Sequence, residues 1–261
     1  MQVIVVDTAQ DVAMLGADHI CRLLSKKDNA VLGLATGSTP IALYQELIER
    51  YRRKEVMFRS AHSFNLDEYV GIAAEHLQSY RFFMNQQLFE HIDIQLKNTH
   101  VPDGMIDPIQ AADDYEALIN AAGGIDLQVL GIGRNGHIGF NEPSSSLGSL
   151  TRIKTLTPDT IRDNSRFFSA DEFQPRLAIT MGIGTILRAK KALLLATGAS
   201  KADAIQAMVE GPLSASCPAS ALQLHANAVV IVDKEAGAKL VNHEYYHWVR
   251  AETDQLIVGL K

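Results

Sequence analysis

Two adjacent carboxylic acids follow a stretch that is expected to be a buried strand. Residues 62–66, HSFNL, are the expected strand, and Asp67 and Glu68 come directly after them in FNLDEYVG. Neighbouring side chains of an extended chain point to opposite faces, so only one of the two acids can face a ligand. A carboxylate partly withdrawn from water has a raised pKa, which suits a proton carrier at neutral pH. The alternative is an acid that only caps the next element.

A histidine and a glutamate stand five residues apart in GIGRNGHIGFNEP, residues 131–143. Its glycines spell G-x-G-x-x-G, but a dinucleotide-binding turn must open an apolar helix, and the glycine, proline and serines that follow exclude one. His137 and Glu142 can instead meet within a compact loop, where the carboxylate would orient an imidazole that transfers protons. A histidine bonded only within its own loop is the alternative. No metal is expected, because the spacing does not suit helical ligands and a third ligand is lacking.

Two further loops carry small and basic residues of the kind that bind anions. In ATGSTP, residues 35–40, Thr39 is expected to cap a helix that starts at Pro40, leaving backbone N–H groups free for a ligand. In TGASK, Ser200 is expected to cap another helix with Lys201 in its first turn, where a cation opposes the helix dipole. Each loop by itself has a simpler explanation. The first loop could serve only to cap its helix, and Lys201 could lie exposed to solvent, where its unfavourable position at the helix start is easily tolerated. Together the two loops predict a phosphate pocket.

The elements that must position these loops alternate along the chain. Aliphatic runs predict buried strands at 3–7, 30–35, 62–66, 127–133, 191–197 and 228–233. Helical periodicity predicts helices at 12–24, 40–51, 80–92, 111–122, 180–189, 201–209 and 235–249. Such alternation predicts an α/β fold whose mostly parallel sheet has helices on both faces and ligand loops at the carboxyl ends of its strands. No linker or repeat divides residues 1–261, so a single domain is expected.

The composition disfavours several classes of protein. Of 261 residues, 47% are hydrophobic and 21% charged, which is typical of a folded domain. A formal net charge of −6 disfavours nucleic acid as a partner, so an anionic ligand must be met by local groups. Cys21 and Cys217 form no disulfide framework, and no apolar run is long enough for a membrane span. We therefore expect a cytoplasmic protein without a membrane partner.

Six stretches, in the same order over nearly the entire chain, resemble the glucosamine-6-phosphate deaminase (isomerase) family: LATGSTP, FNLDEYVG, GIGRNGHIGFNEP, TRIKTLT, NSRFF and GASKADAIQAMVEG. DEY and GHIGFNEP are specific, whereas TGSTP is shared with the wider superfamily of sugar-phosphate isomerases and lactonases. The resemblance implies a Rossmann-like doubly wound fold. It also implies an enzyme of amino-sugar (N-acetylglucosamine) catabolism, which converts D-glucosamine 6-phosphate and water into D-fructose 6-phosphate and ammonia without a metal or organic cofactor.

The resemblance also implies a role for each matching residue. Asp67 would move a proton from C2 to C1 through a cis-enolamine. His137 would open the pyranose ring by relaying a proton to the ring oxygen, with Glu142 as its partner. Asn135 stands where many members have an aspartate; an amide can accept a hydrogen bond from the imidazole but adds no negative charge. The phosphate-binding positions would be Thr36, Gly37, Ser38, Thr39, Arg166 and Lys201.

A second set of residues resembles the motif with which longer, hexameric members bind N-acetylglucosamine 6-phosphate between subunits: Ser145, Arg152, Lys154 and Thr155. It would be an allosteric site. Three alternative functions are considered: a galactosamine-6-phosphate deaminase, a 6-phosphogluconolactonase, which would not need DEY and FNEP, and a non-catalytic sugar-phosphate sensor. The sensor is disfavoured because the candidate catalytic residues are present and no DNA-binding extension is expected. The sequence leaves open the C4 epimer of the substrate and whether the protein is a monomer or a homo-oligomer.

Overall fold

A computed structural model describes residues 1–158, 161–162 and 173–259, with side chains as far as Thr253. Its strands are β1 (Gln2–Val6), β2 (Val31–Leu34), β3 (His62–Asn65), β4 (Asp67–Tyr69), β5 (Thr99–His100), β6 (Leu127–Leu130), β7 (Arg152–Thr155), β8 (Leu177–Thr180), β9 (Ala192–Ala196) and β10 (Ala228–Asp233). Seven of these strands form one sheet in the order β1-β10-β9-β6-β2-β3-β5, and every pair is parallel. All six predicted strands lie in this sheet.

The helices of the described residues are α1 (Ala9–Lys26), α2 (Ser38–Arg52), α3 (Tyr80–Gln87), α4 (Pro108–Ala121), α5 (Ile183–Leu187), α6 (Ala202–Val209) and α7 (His243–Gly259). Residues of α1, α2 and α3 share one apolar core with one face of the sheet. Residues of α4, α5 and α6 share a second core with the opposite face. Because both faces are covered, the inner strands β2, β6 and β9 are buried throughout and consist mostly of aliphatic residues. The α/β prediction, with helices on both faces, is confirmed.

A small antiparallel sheet, in the order β4-β8-β7, is not predicted by the sequence pattern. Its strands have only three or four residues, and β7 reads RIKT, which has no apolar alternation. Asp67 begins β4 two residues after β3 ends, and it pairs with Thr180 of β8. This second sheet therefore holds Asp67 at the carboxyl edge of the parallel sheet.

Three predicted helices differ from the structure. Over 80–92, the α-helix ends at Gln87 and a short 3₁₀ turn, Phe89–His91, follows it. Over 180–189, Thr180 is the last residue of β8 and only Ile183–Leu187 is helical, because Gly182 is still extended. Over 235–249, a turn follows β10 because the Asp233 carboxylate accepts a hydrogen bond from the Ala236 amide, and the helix begins only at His243. None of the described helices is long and apolar enough to cross a membrane.

Candidate active site

An open cleft of about 230 Å³ lies at the carboxyl ends of the parallel strands. It is lined by the loops that follow β2, β3, β6 and β9. Seven of the sequence-predicted site residues line it together: Thr36, Gly37, Ser38, Thr39, Asp67, His137 and Lys201. Asn135 and Glu142 contact one another at the His137 loop, whereas Arg166 lies outside the described residues.

Asp67 is a buried carboxyl group at the floor of the cleft, with 5% of its surface exposed. Burial, together with the negative charge of Glu68, raises the pKa of Asp67 to about 8. The Thr180 hydroxyl, 3.5 Å from Oδ2, opposes this rise only weakly. A carboxyl group with such a pKa exchanges its proton close to neutrality, as general acid–base chemistry requires.

Glu68 faces away from the cleft, as the alternation of side chains along β4 requires. Its carboxylate accepts hydrogen bonds from the backbone N–H groups of Tyr69, Tyr80 and Arg81, at 2.9, 2.9 and 3.0 Å. The last two belong to the first turn of α3, where N–H groups lack intrahelical partners. Burial raises the pKa of Glu68 to about 7, although these three donors lower it. Of the two adjacent acids, Asp67 lines the cleft and Glu68 caps a helix.

His137 lines the cleft with its imidazole oriented from behind by a carboxylate. Its Nδ1 is 3.0 Å from Oε1 of Glu142, and Asn135 donates a 2.6 Å hydrogen bond from Nδ2 to the other oxygen. Burial of Glu142 disfavours its charged form, but His137, Asn135 and the charge of Lys154 outweigh burial and lower its pKa. An ionised Glu142 places the Nδ1 proton of His137 on its own side and leaves Nε2 for the cleft.

The position of Asn135 corrects one expectation. The amide oxygen of Asn135 accepts from the backbone N–H of His137, at 3.2 Å, rather than from the imidazole. Because its Oδ1 meets an N–H and its Nδ2 meets a carboxylate, both ends of the amide are fixed by their partners. Asn135 therefore orients Glu142 and does not contact the ring directly.

Two glycines of the G-x-G-x-x-G pattern allow the His137 loop to close tightly. A Cβ atom on Gly133 would lie 2.3 to 2.5 Å from three atoms of the His137 ring. Gly136 has φ of +82°, and a Cβ there would lie 2.5 Å from the Cys217 sulfur. These glycines let the imidazole pack against the backbone. Their spacing matches a nucleotide-binding pattern, but here they serve the close packing of His137.

The loop after β2 presents the first turn of α2 to the cleft. The helix begins at Ser38, with Gly37 as its N-cap at φ of 107° and no capping side chain. The expectation that Thr39 is the cap is wrong, because the chain turns one step earlier through a left-handed conformation that favours glycine. Free N–H groups at the start of a helix attract anions, and Thr36, Gly37, Ser38 and Thr39 all line the cleft.

Lys201 enters the cleft from a short 3₁₀ turn, Ala199–Lys201, that precedes α6. Its Nζ donates a 2.7 Å hydrogen bond to the Ile132 carbonyl, and burial followed by the charge of Arg134 lowers its pKa. Ser200 is not an N-cap, because the turn begins at Gly198 and no side chain caps α6. Lys201 itself occupies the N-cap position, so it still places a cation at the start of a helix.

Three residues that line or support the cleft are absent from the sequence predictions. Tyr80 and Phe140 form stacked aromatic walls, with ring centroids 6.2 Å apart. Asp233 accepts hydrogen bonds from the Gly198 N–H, at 3.1 and 3.0 Å, and so holds the turn that carries Lys201. The available signal for Asp233 is its place as the last residue of a predicted strand.

The second predicted set lies outside the cleft. Ser145 is buried and its hydroxyl makes no hydrogen bond with the described residues, while Thr155 is exposed. Arg152 and Lys154 are two residues apart on β7 and so share a face of that strand. Lys154 is close enough to act electrostatically on Glu142, and the Ser145 amide donates to the Glu142 carbonyl at 3.0 Å. The set therefore adjoins the partner of His137.

The described part of the chain contains no group of three or more His, Cys, Asp or Glu residues placed to hold a metal ion. Cys21 and Cys217 are not joined by a disulfide. Cys217 is buried against the His137 loop, where burial raises the pKa of its thiol. Among the described residues that line the cleft, Asp67 provides a carboxyl group, His137 an imidazole and Lys201 an ammonium group.

The chain is similar to known proteins in both sequence and structure. Residues 6–231 match the family model for glucosamine-6-phosphate isomerases/6-phosphogluconolactonase. Over 253 residues the chain is 64% identical to the glucosamine-6-phosphate deaminase of Hahella chejuensis, covering 97% of each chain. Over 261 residues it is 60% identical to that of Shewanella woodyi, covering 100% of this chain and 99% of the relative. The solved structure of a monomeric glucosamine-6-phosphate deaminase matches with a TM-score of 0.87 at 41% identity, covering 92% of this chain and 100% of that one.

Proposed function

The chain belongs to the glucosamine-6-phosphate isomerase/6-phosphogluconolactonase family, and we propose that it is a glucosamine-6-phosphate deaminase. The reaction converts D-glucosamine 6-phosphate and water into D-fructose 6-phosphate and ammonia. The observation that carries the proposal is the convergence of Asp67, the His137–Glu142 pair and Lys201 on one cleft. Relatives at 53% to 64% identity, which carry the name of this activity, support it.

The phosphate group would be held by the first turn of α2 and by Lys201, which line the same cleft. Free backbone N–H groups and an ammonium group complement a phosphate dianion. Because the phosphate is remote from C1 and C2, its binding energy serves to position the reacting end of the sugar. We assign the same role to Arg166, which lies outside the described residues.

Ring opening requires a proton at the ring oxygen while the C1 hydroxyl loses its proton. His137 serves both steps, since its Nε2 faces the cleft while Glu142 holds Nδ1. Asp67, in its ionised form, then takes the C2 proton and returns it to C1 through a cis-enolamine. Water adds to the resulting C2 iminium, and the C2–N bond breaks to release ammonia and leave the ketose.

The test is incubation of the protein with glucosamine 6-phosphate while ammonium and fructose 6-phosphate are both followed. The proposal expects the two products in equal amounts. Galactosamine 6-phosphate and 6-phosphogluconolactone are run in parallel, because the C4 epimer and the lactone are the substrates of the alternative functions. Faster turnover of either would replace the proposed substrate, and no turnover of any would favour a sensor.

The residues beside Glu142 motivate a regulatory proposal. Ser145, Arg152, Lys154 and Thr155 would bind an anionic effector such as N-acetylglucosamine 6-phosphate, and Lys154 would transmit binding to Glu142. Rates measured against substrate, with and without the effector, test this. A hyperbolic curve that the effector does not change would contradict it.

We propose the cytoplasm as the location, because both cysteines are unpaired and a phosphorylated sugar does not cross membranes unaided. A solved relative is monomeric, whereas the regulatory proposal would need a site between subunits. Sedimentation of the purified protein with and without effector distinguishes a monomer from a homo-oligomer. Fractionation of cells tests the location.

A further inference from the structure

Arg134 is an exposed cation beside the cleft. It follows Gly133, which lines the cleft, and it lies within the loop that carries His137. Within residues 1–158, 161–162 and 173–253, its guanidinium forms no ion pair or hydrogen bond. Arg52, another exposed arginine, does pair with a neighbouring acid, Glu49, at 2.7 Å. Arg134 is thus a positive charge that the described protein leaves uncompensated.

A second uncompensated cation lies next to it. The Nζ of Lys201 is 2.7 Å from the carbonyl of Ile132, two residues before Arg134. The charge of Arg134 lowers the pKa of Lys201, so the two groups are close enough to repel one another. The acids nearest in the chain are occupied, since Asp203 pairs with Lys239, and Glu142 with His137. Two cations that repel one another are relieved when an anion binds between or beside them.

We propose that Arg134 provides, beside Lys201, a second positive charge that draws the phosphate group of the substrate into the cleft and helps to hold it. The inference rests on the proposed function, which makes the substrate a phosphate monoester. The need for it follows from the charge of the whole chain, −6, which repels such a dianion at long range. Because Arg134 is exposed and is not one of the residues that line the cleft, we expect it to act on substrate capture and not on the chemical step.

The experiment compares Arg134→Gln with Arg134→Lys and with Arg59→Gln. Arg59 is a matched control, because it is exposed and precedes β3, at the amino ends of the parallel strands and so away from the cleft. For Arg134→Gln we expect kcat/KM for glucosamine 6-phosphate to fall about three- to tenfold at low ionic strength, with less change in kcat. Its kcat/KM should also depend less steeply on salt. Arg134→Lys should retain most of the wild-type value, and Arg59→Gln all of it.

Inhibition by inorganic phosphate gives a second readout that does not depend on the sugar. Phosphate should inhibit Arg134→Gln more weakly than the wild type, and binding of phosphate followed by calorimetry should show the same order. Unchanged kcat/KM, salt dependence and phosphate affinity in Arg134→Gln would overturn the inference, even with a fully active wild type. Equal loss of kcat in the glutamine and lysine variants would overturn it too, since it would indicate a structural role.

The two proposals fail in different ways. A wild-type protein that makes no fructose 6-phosphate contradicts the proposed function, whereas calorimetry with phosphate still tests the role of Arg134. Thermal unfolding of each variant accompanies the kinetics, and an unfolded Arg134→Gln is replaced by Arg134→Lys and Arg134→Met. In that case loss of phosphate affinity in the methionine variant but not in the lysine variant supports the inference, and equal affinity contradicts it.

Discussion

At the scale of single residues, the proposed chemistry depends on Asp67 being a base. Asp67→Asn keeps the size of the side chain and removes its ability to take a proton from C2. We expect kcat to fall by at least about 10³-fold, while sugar-phosphate binding stays within about tenfold. Steady-state kinetics with glucosamine 6-phosphate and calorimetry with an inert sugar phosphate measure the two quantities. A variant that keeps wild-type kcat would remove Asp67 from the mechanism.

The raised pKa of Asp67 also predicts how stability depends on pH. Its pKa is 3.8 in the unfolded chain and about 8 in the fold, so between these values the folded protein holds a proton that the unfolded chain has released. The free energy of unfolding therefore falls as pH rises through this window. In Asp67→Asn this penalty is absent, so its stability relative to wild type should rise by about 1–3 kcal/mol from pH 5 to pH 8. Parallel denaturant titrations at the two pH values measure it; a constant difference would contradict it.

The residue types and their spacing indicate that either Asp67 or Glu68 faces the ligand, but they do not indicate which of the two. The choice depends on pairing of Asp67 with Thr180, 113 residues away, which no local pattern records. His137, Glu142 and Lys201 can be predicted as candidate site residues, because they are chemically reactive residues in loops that follow predicted strands. The hydrogen bond between Asn135 and Glu142 cannot be predicted in this way, because the hydrogen bonds of a loop depend on its full conformation.

At the scale of elements, the loop between β6 and Asn141 holds His137 only because a glycine lies under the ring. Gly133→Ala would place a Cβ within 2.5 Å of the imidazole and must displace it. We expect kcat to fall by about 10²-fold or more, since small displacements of a catalytic group are costly. Gly148→Ala is the control, because a Cβ there meets nothing within 4 Å. Equal activity of the two variants would mean that the ring position is not critical.

Glu68 links β4 to α3, and its removal tests that link. Glu68→Ala leaves the N–H groups of Tyr80 and Arg81 without their acceptor and should lower the free energy of unfolding by about 1–3 kcal/mol. Because α3 carries Tyr80 into the cleft wall, KM should rise as well. Denaturant unfolding and kinetics are compared with those of Glu90→Ala, an exposed acid after the same helix. No change relative to that control would contradict the link.

Long, apolar or strongly periodic elements are predictable here, and short ones are not. The strands of the parallel sheet and the helices α1, α2 and α4 can be predicted from their pattern of apolar residues. This pattern arises because both faces of the sheet are buried under helices. The small sheet escapes prediction because strands of three or four residues are held by partners distant in sequence. The start of α7 escapes prediction because Glu210, which is distant in the chain, accepts hydrogen bonds from the N–H groups of Val241 and Asn242 just before the helix.

At the scale of the whole molecule, we propose that residues 1–261 unfold as one unit. The parallel sheet runs without a break from β1 to β5, and each of its two apolar cores draws residues from both halves of the chain. Unfolding by denaturant should therefore show one transition with coincident midpoints for fluorescence and circular dichroism. Trp248 on α7 and the backbone signal report different regions. Separate midpoints would indicate two domains.

The three-residue strand Asp67–Tyr69 also constrains how the protein can change over generations. Inserting or deleting one residue within it would turn its side chains to opposite sides, so that Asp67 would face α3 and Glu68 would face the cleft. Active relatives should therefore keep this stretch at constant length, whereas residues 73–77, which are mostly exposed, should tolerate changes of length better. A working homologue with an altered spacing here would have to place its base by some other route.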